Sequence, residues 1–516
     1  MVMVAVRQLG SRHPFTLDFP GSEMLTAQAM TEDILSGGSL SDWLVPEAPY
    51  FAPDWLIALI LHALQVGPGH EVWLIAAFQI GLLWLGWGAI VARTQSASGR
   101  PWRIMGGLVP VTALVFSQWP YSLALVGFWR FGTVLNTIAC MVVTIWYLQT
   151  EDQPETRWMR WMAPSILAGL VAISHLSDES ILVWFTAPAL LSMLVATYGS
   201  RRPKLYPWLA GVAAGHLAAG VLEPLIGKAT PGYQAAMSVA AVPARLKEVA
   251  IILLTQGTAA PVSSALVAFG IAAGIWHLAR EWPFGDTAED RPSGSTPAQL
   301  FVIVHVVMSS VAALSAQLVL GGDLVLGIRY SLIVFFLPVL YVGSYGAGRI
   351  WEMAVAAGSQ IALKRMALFG LSVGVLVFTV PTPGTGLAMD RTPPEAVCLN
   401  DALSAPHLKR GVASWVSQNT VMVYTSRRVQ VVNYRDGGPG GPIWATSKPH
   451  NTSWVSGVYD FAVVDEFDNG EPSPWLSIEA VTQVAGPPRR TTDCGRWQVL
   501  DYGPGGLTLP PGHENP

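Results

Sequence analysis

Charge is what this chain has least of. Only 12% of its 516 residues are charged, against about 25% in a typical soluble domain. With 51% hydrophobic residues and a mean hydropathy of +0.42, that shortfall excludes an ordinary soluble globule. Cysteine is scarce as well, at Cys140, Cys398 and Cys494 only, and no Cys/His spacing suits a zinc module. No Walker A loop, dinucleotide fingerprint or HExxH occurs. The DGGPGGP stretch around 438–441 is a turn-rich loop, not a phosphate cradle. No basic patch of the kind that binds nucleic acid is present. The formal charge of −4 says little, because distribution outweighs the sum. Residues 1–15, MVMVAVRQLGSRHPF, hold no continuous apolar core, so they read as no cleavable signal. No span precedes Asp18 either. The expectation is that the N-terminus lies outside by another route, or that a first span is missing upstream.

What is present is a series of apolar runs of helix-spanning length, the mark of a polytopic membrane protein. Ten spans are expected, at about 72–92, 104–118, 131–148, 163–174, 181–198, 206–226, 261–279, 300–320, 329–347 and 366–381. The run 55–66 is too short to cross and reads as a re-entrant or interfacial helix. Arginine and lysine gather in alternate loops: Arg93, Arg100 and Arg103; Arg157 and Arg160; Arg201, Arg202 and Lys204; Arg280; Arg349, Lys364 and Arg365. The positive-inside rule puts that set in the cytoplasm. The other loops, and everything after Pro381, then face outward.

The expected organisation is an extracytoplasmic acidic loop with amphipathic and re-entrant helices over 1–71, and a transmembrane domain over 72–381. A small extracytoplasmic α/β domain over 388–502 and a disordered, Pro/Gly-rich tail over 503–516 follow. In the C-terminal domain a helix is expected near 407–417, and strands near 421–425, 429–434, 461–464 and 497–502. If this domain is outside, a disulfide between Cys398 and Cys494 is expected; two free thiols are the alternative. Cys140, inside a span, reads as inert packing.

The chain is organised around residues 18–54, DFPGSEMLTAQAMTEDILSGGSLSDWLVPEAPYFAPD, with the carboxylates Asp18, Glu23, Glu32, Asp33, Asp42, Glu47 and Asp54. Residues 22–35 read as a helix with Met24, Leu25, Ala27, Met30, Ile34 and Leu35 roughly on one side, stopped by Gly37 and Gly38. The aromatic and proline-rich run that follows suits the water–lipid boundary. The expectation is an acidic ledge lying on the membrane.

Charge beside lipid usually signals function, and the outward-facing charges cluster. They are Asp18 and Glu23; Arg130 in GFWRFGT; His175, Asp178 and Glu179 in SHLSDES; Glu223 and Lys228; Arg245, Lys247 and Glu248; and Asp323 and Arg329 around GGDLVLGIRY. Carboxylates and cations on one side suit transfer of a sugar from a lipid phosphate. Cations hold the phosphate and stabilise the charge on leaving, and a carboxylate takes the acceptor's proton. Each residue also has a plain structural reading. The carboxylates of 18–54 serve as solvated faces and caps. Arg130 and Arg329 snorkel to headgroups. His175 is satisfied by a neighbouring span, and Asp178 caps the next helix.

The arrangement resembles the GT-C superfamily of integral-membrane glycosyltransferases, among them the protein mannosyltransferases and the aminoarabinose transferases of lipid A. The residues that carry the resemblance are the acidic opening DFPGSEMLTAQA, the helix after it, DWLVPEAPYFAPD leading back to the membrane, and the late GIRYSLIVFFLP segment. The resemblance implies a GT-C-like helical membrane fold of about 10–11 spans in a bacterial inner membrane, with its C-terminal domain outside. It implies transfer, of inverting type, from a polyprenyl-phosphate-linked sugar to an extracytoplasmic glycan, lipid or protein. Asp18 maps onto the catalytic carboxylate, with Glu23 second, and Arg329 onto the basic residue near the lipid phosphate. Arg130, His175, Asp178 and Arg245 complete the expected substrate and phosphate site. Some relatives use a divalent metal, and no dedicated site is seen in this sequence. Two departures stand out: the family's first span is missing, and Asp18 and Glu23 are five apart instead of adjacent. The alternatives are a lipid-linked glycan flippase and a non-catalytic scaffold of envelope polysaccharide assembly; the absence of an internal repeat argues against the first.

Overall fold

The computed structural model describes residues 22–35, 37–38, 43–44, 48–115, 131–150, 158–197, 205–226, 242–248, 261–281, 296–319, 332–356, 394–425, 429–433, 446–447, 458–467, 471–472 and 476–509. Helix α1 spans Ser22–Leu35 and stops where Gly37 takes φ +96° and Gly38 N–H donates to Asp33 O at 2.8 Å. Strand β1 is Trp43–Leu44. A π-type turn, Phe51–Trp55, leads into α2, Leu56–Ala63. The long helices follow: α3 Pro68–Thr94, α4 Arg100–Val115, α5 Phe131–Thr150 and α6 Met159–Ser177. A second π-type turn, Leu182–Thr186, continues into α7, Ala187–Thr197. Then come α8 Leu205–Ile226, α9 Pro261–Glu281, α10 Pro297–Val319 and α11 Leu332–Ala356.

Nine of the ten expected spans coincide with these helices, and the tenth, 366–381, lies outside the described residues. Among the described residues five helices are long and apolar enough to cross a membrane. Their shared core is aliphatic and aromatic, with Trp87, Trp184, Trp208, Phe301 and Phe336 fully buried. Apolar side chains such as Leu85, Leu217, Val221, Leu225 and Phe269 point outward instead, as expected of surfaces that face lipid and not water.

Contacts fix which helix ends lie together. At one end Arg103 pairs with Glu352, Gln149 Nε2 donates to Arg93 O at 2.5 Å, and Gln299 Nε2 donates to Thr94 O at 2.6 Å. These residues belong to the basic loops, or border them. The acidic segment sits at the opposite end.

The C-terminal domain holds α12 Pro394–Ala402, β2 Arg410–Ala413, α13 Trp415–Tyr424, β3 Gln430–Asn433, β4 Thr446–Ser447, β5 Val458–Tyr459, β6 Phe461–Phe467, β7 Glu471–Pro472, α14 Ile478–Ala485, β8 Arg490–Cys494, β9 Trp497–Asp501 and β10 Leu507–Thr508. Its main sheet runs β3-β2-β6-β9-β8, with β7 on β6. Strands β3, β2 and β6 are parallel, whereas β9 pairs antiparallel with β6 and β8. Cys398 and Cys494 form the expected disulfide, joining α12 to β8.

Four expectations need correction. Residues 410–413 are a strand and not part of a helix, because β2 lies between two parallel neighbours. Residues 421–424 are the end of α13 and not a strand. Val421 and Met422 face the sheet core while Val423 faces α1, so burial on both sides removes the helical alternation. Residues 503–509 of the expected disordered tail are structured, since β10 pairs with β5 and buries Leu507 and Leu509; the rest of that segment lies outside the described residues. Helix α1, finally, is not an open ledge. Residues 25–31 are all buried, with α13 on one side and α2 on another.

Candidate functional site

Polar groups at the end of the bundle opposite the basic loops converge beneath α1. Tyr50, in the left-handed region at φ 55°, turns the chain into the Phe51–Trp55 segment, where the Ala52–Pro53 bond is cis. Ser177, the last residue of α6, receives this turn twice. Its carbonyl accepts from Tyr50 N–H at 3.1 Å, and its Oγ accepts from Ala52 N–H at 2.9 Å. Asn136 of α5 donates its Nδ2 to Ala52 O at 2.9 Å. Three backbone groups of a non-helical turn are thus satisfied by two helices, which is what a buried irregular segment requires.

Two carboxylates lie inside this joint. Asp54 is 1% exposed and accepts from Gln79 Nε2 of α3. Gly132 of α5 passes so close that a β-carbon there would strike the Asp54 carboxylate. Asp178 is equally buried; it accepts from Thr133 Oγ1 at 2.6 Å and from Ser180 N–H at 2.9 Å. It therefore ties the start of α5 to the end of α6. One turn deeper, the His175 and His216 rings meet edge to face at 5.0 Å, and His216 Nε2 lies 2.9 Å from Thr186 Oγ1.

A third acidic group lies on the other side of α1. Glu71 opens α3 and is 1% exposed, with Oε1 3.7 Å from His62 Nδ1 of α2. Burial, and then the Glu32 carboxylate of α1, push its pKa up to about 8.

Of the expected site residues, His175 and Asp178 enter this joint. Glu23 stands in the first turn of α1, and Arg245 lies in a short helical stretch, 242–248. Asp18, Arg130 and Arg329 lie outside the described residues; in sequence Arg130 directly precedes α5, whose Gly132 and Thr133 touch Asp54 and Asp178. Sequence reasoning counted Asp54 only as one of the carboxylates of 18–54, and passed over Glu71, Gln79, Thr133 and Asn136. The available signal was polarity inside otherwise apolar spans, at Gln79 and Asn136. Among the described residues no group of three His, Cys, Asp or Glu is placed to hold a metal ion.

Several helices long and apolar enough to cross a membrane, an acidic helix folded back onto one end of the bundle and a C-terminal sheet domain packed on it make this a GT-C-like polytopic membrane fold. The particular likeness is to ArnT from Cupriavidus metallidurans. The apo structure matches with a TM-score of 0.57 at 14% identity, over 98% of this chain and 97% of that one. The structure bound to undecaprenyl phosphate matches with 0.54 at 13%, over 97% and 96%. The Archaeoglobus fulgidus oligosaccharyltransferase complex with zinc and sulfate aligns more loosely, with 0.49 at 10%, over 90% of this chain and 67% of that one. No family model matches the chain, and no curated protein sequence matches it.

Proposed function

We propose that this multi-pass membrane protein is a glycosyltransferase that moves a sugar from a polyprenyl-phosphate donor to an extracytoplasmic acceptor. The observation that carries the reading is the end-to-end likeness of fold to ArnT, which has been solved with undecaprenyl phosphate bound. The basic loops belong to the end of the bundle opposite α1, so the positive-inside rule puts α1 and the C-terminal domain outside a bacterial inner membrane.

In this reading the acceptor hydroxyl gives its proton to a carboxylate as its oxygen bonds to the sugar's anomeric carbon. The bond from that carbon to the lipid phosphate breaks on the opposite face, inverting the centre and releasing polyprenyl phosphate. Asp18 is the proposed base, with Glu23 second: in sequence Asp18 comes four residues before α1, and Glu23 stands in the first turn of that helix. Arg130, Arg245 and Arg329 are the proposed cations for the leaving phosphate. Asp178 and His175 position the walls of the site.

The test is turnover of a panel of polyprenyl-phosphate sugars by purified protein with an envelope acceptor extract. Wild type transfers label and Asp18→Asn loses at least about a hundredfold, the lower range for loss of a positioned general base. Full activity in Asp18→Asn removes Asp18 from the mechanism. Lipid-linked glycan crossing the bilayer without transfer would replace the enzyme with a flippase.

A further inference from the structure

We infer that the C-terminal domain is a positioning element for the reaction: its helix α13 sets the place of acidic helix α1, and Asn419 fixes the register. The inference rests on the glycosyltransferase reading above and gives the C-terminal domain its part in it.

Helix α1 has only 14 residues, a length at which an isolated helix is marginal in water, so its position comes from what covers it. On one side Ala27 packs with Ile57, Ala58 and Leu61 of α2 and Ile75 of α3. On the other, Leu25, Ala29 and Met30 join one apolar cluster with Val423 of α13, Phe51, Leu176 of α6 and Ala219 of α8; Tyr424 and Ile226 border it. The end of α13 thus shares one apolar cluster with the acidic helix, the polar turn and two bundle helices. Beyond α1 the C-terminal domain holds the chain a second time, where β1 pairs antiparallel with β4.

Apolar contacts alone permit sliding, because the hydrophobic effect has no direction. A buried hydrogen bond does have one. Asn419 Nδ2 donates to Thr26 Oγ1 at 3.1 Å, and both residues are buried. Shifting α1 by one residue would carry that hydroxyl out of reach and break a buried hydrogen bond. Helix α13 is in turn fixed to its sheet. Ser417 Oγ donates to Asp465 Oδ2 at 2.6 Å, Trp497 Nε1 donates to Ser417 Oγ at 3.0 Å, and Arg496 holds both oxygens of Asp465 at 2.7 and 3.0 Å. Position therefore passes from the sheet through α13 to α1, whose N-terminal approach carries the proposed base.

The test uses the full chain in nanodiscs. Asn419→Ala and Thr26→Ala each lower kcat on the order of tenfold with donor KM unchanged, the signature of misplacement felt in the transition state. The double variant is no worse than either single, and Thr26→Ser, which keeps the hydroxyl, restores the rate. Wild-type kcat in both singles, or fully additive losses, overturns the inference. A second readout needs no turnover. Amide hydrogen exchange across residues 25–31 rises in Asn419→Ala/Val423→Ala, while β6 and β9 stay protected. Unchanged exchange there overturns the inference whatever the activity. Faster exchange in a protein inactive towards every donor would instead count against the enzyme reading and leave the clamp in place.

Discussion

Glu71 shows most directly how a single side chain answers to its surroundings. It opens α3 just before the apolar span Leu74–Thr94, and burial, followed by repulsion from Glu32, holds its pKa near 8 instead of 4.5. Between those values the folded protein keeps a proton that the unfolded chain has given up. The group's contribution to stability is therefore full below about pH 4.5 and lost as pH rises through about 8. His62 of α2 and Glu32 of α1 are the titratable groups beside it. Melting temperature should fall from pH 6 to pH 9 in the wild type. Glu71→Gln, which keeps the shape of the protonated acid, should flatten that slope. Parallel pH profiles would mean that Glu71 is ionised in the fold. The sequence showed that the chain concentrates acid here, but not which carboxylates would be covered. Nothing in the sequence marks Asp54 and Glu71 for burial, because it depends on Gln79, Gly132 and α1 arriving from elsewhere in the chain.

At the level of elements, the joint beneath α1 depends on how closely α6 and α8 approach. Gly211 and Gly215, four apart on α8, face the carbonyls of Pro164 and Ala168, each of which would lie 2.6 Å from an added β-carbon. Small residues at this spacing let membrane helices pack backbone to backbone. That approach brings His175 to His216 and Leu176 to Ala219. Gly215→Val should destabilise the purified protein by about 1–3 kcal/mol, the usual cost of overpacking, and lower its melting temperature. Gly220→Val, where an added β-carbon meets open space, should leave it unchanged; equal effects would show that the seam is not the cause. The spans were readable from the sequence because each keeps its apolar face whatever it packs against. Helix α13 was not, since Val421 and Val423 face two different cores and the run shows no period. The strand at 410–413 was hidden for a related reason: its neighbours β3 and β6 follow it in the chain.

Over the whole molecule, the acidic N-terminal segment and the C-terminal domain form one assembly at one end of the bundle, although nearly 400 residues separate Thr26 from Asn419. Composition established the membrane class, and loop charges established which ends face together, because both are sums over many residues. The GT-C-like resemblance rested on short motifs, and the fold shared with ArnT over nearly the full length of both chains now supports it. The covering of α1 by the C-terminal domain could not be read, since it depends on contacts such as Asn419 with Thr26 that no local pattern announces. The central claim is that this fold presents a site for a polyprenyl phosphate, and native mass spectrometry of the protein released from nanodiscs tests it most directly. With undecaprenyl phosphate and phosphatidylglycerol supplied together, the wild type should retain undecaprenyl phosphate selectively, and Arg329→Ala should retain less. Equal retention of the two lipids by the wild type would contradict the account.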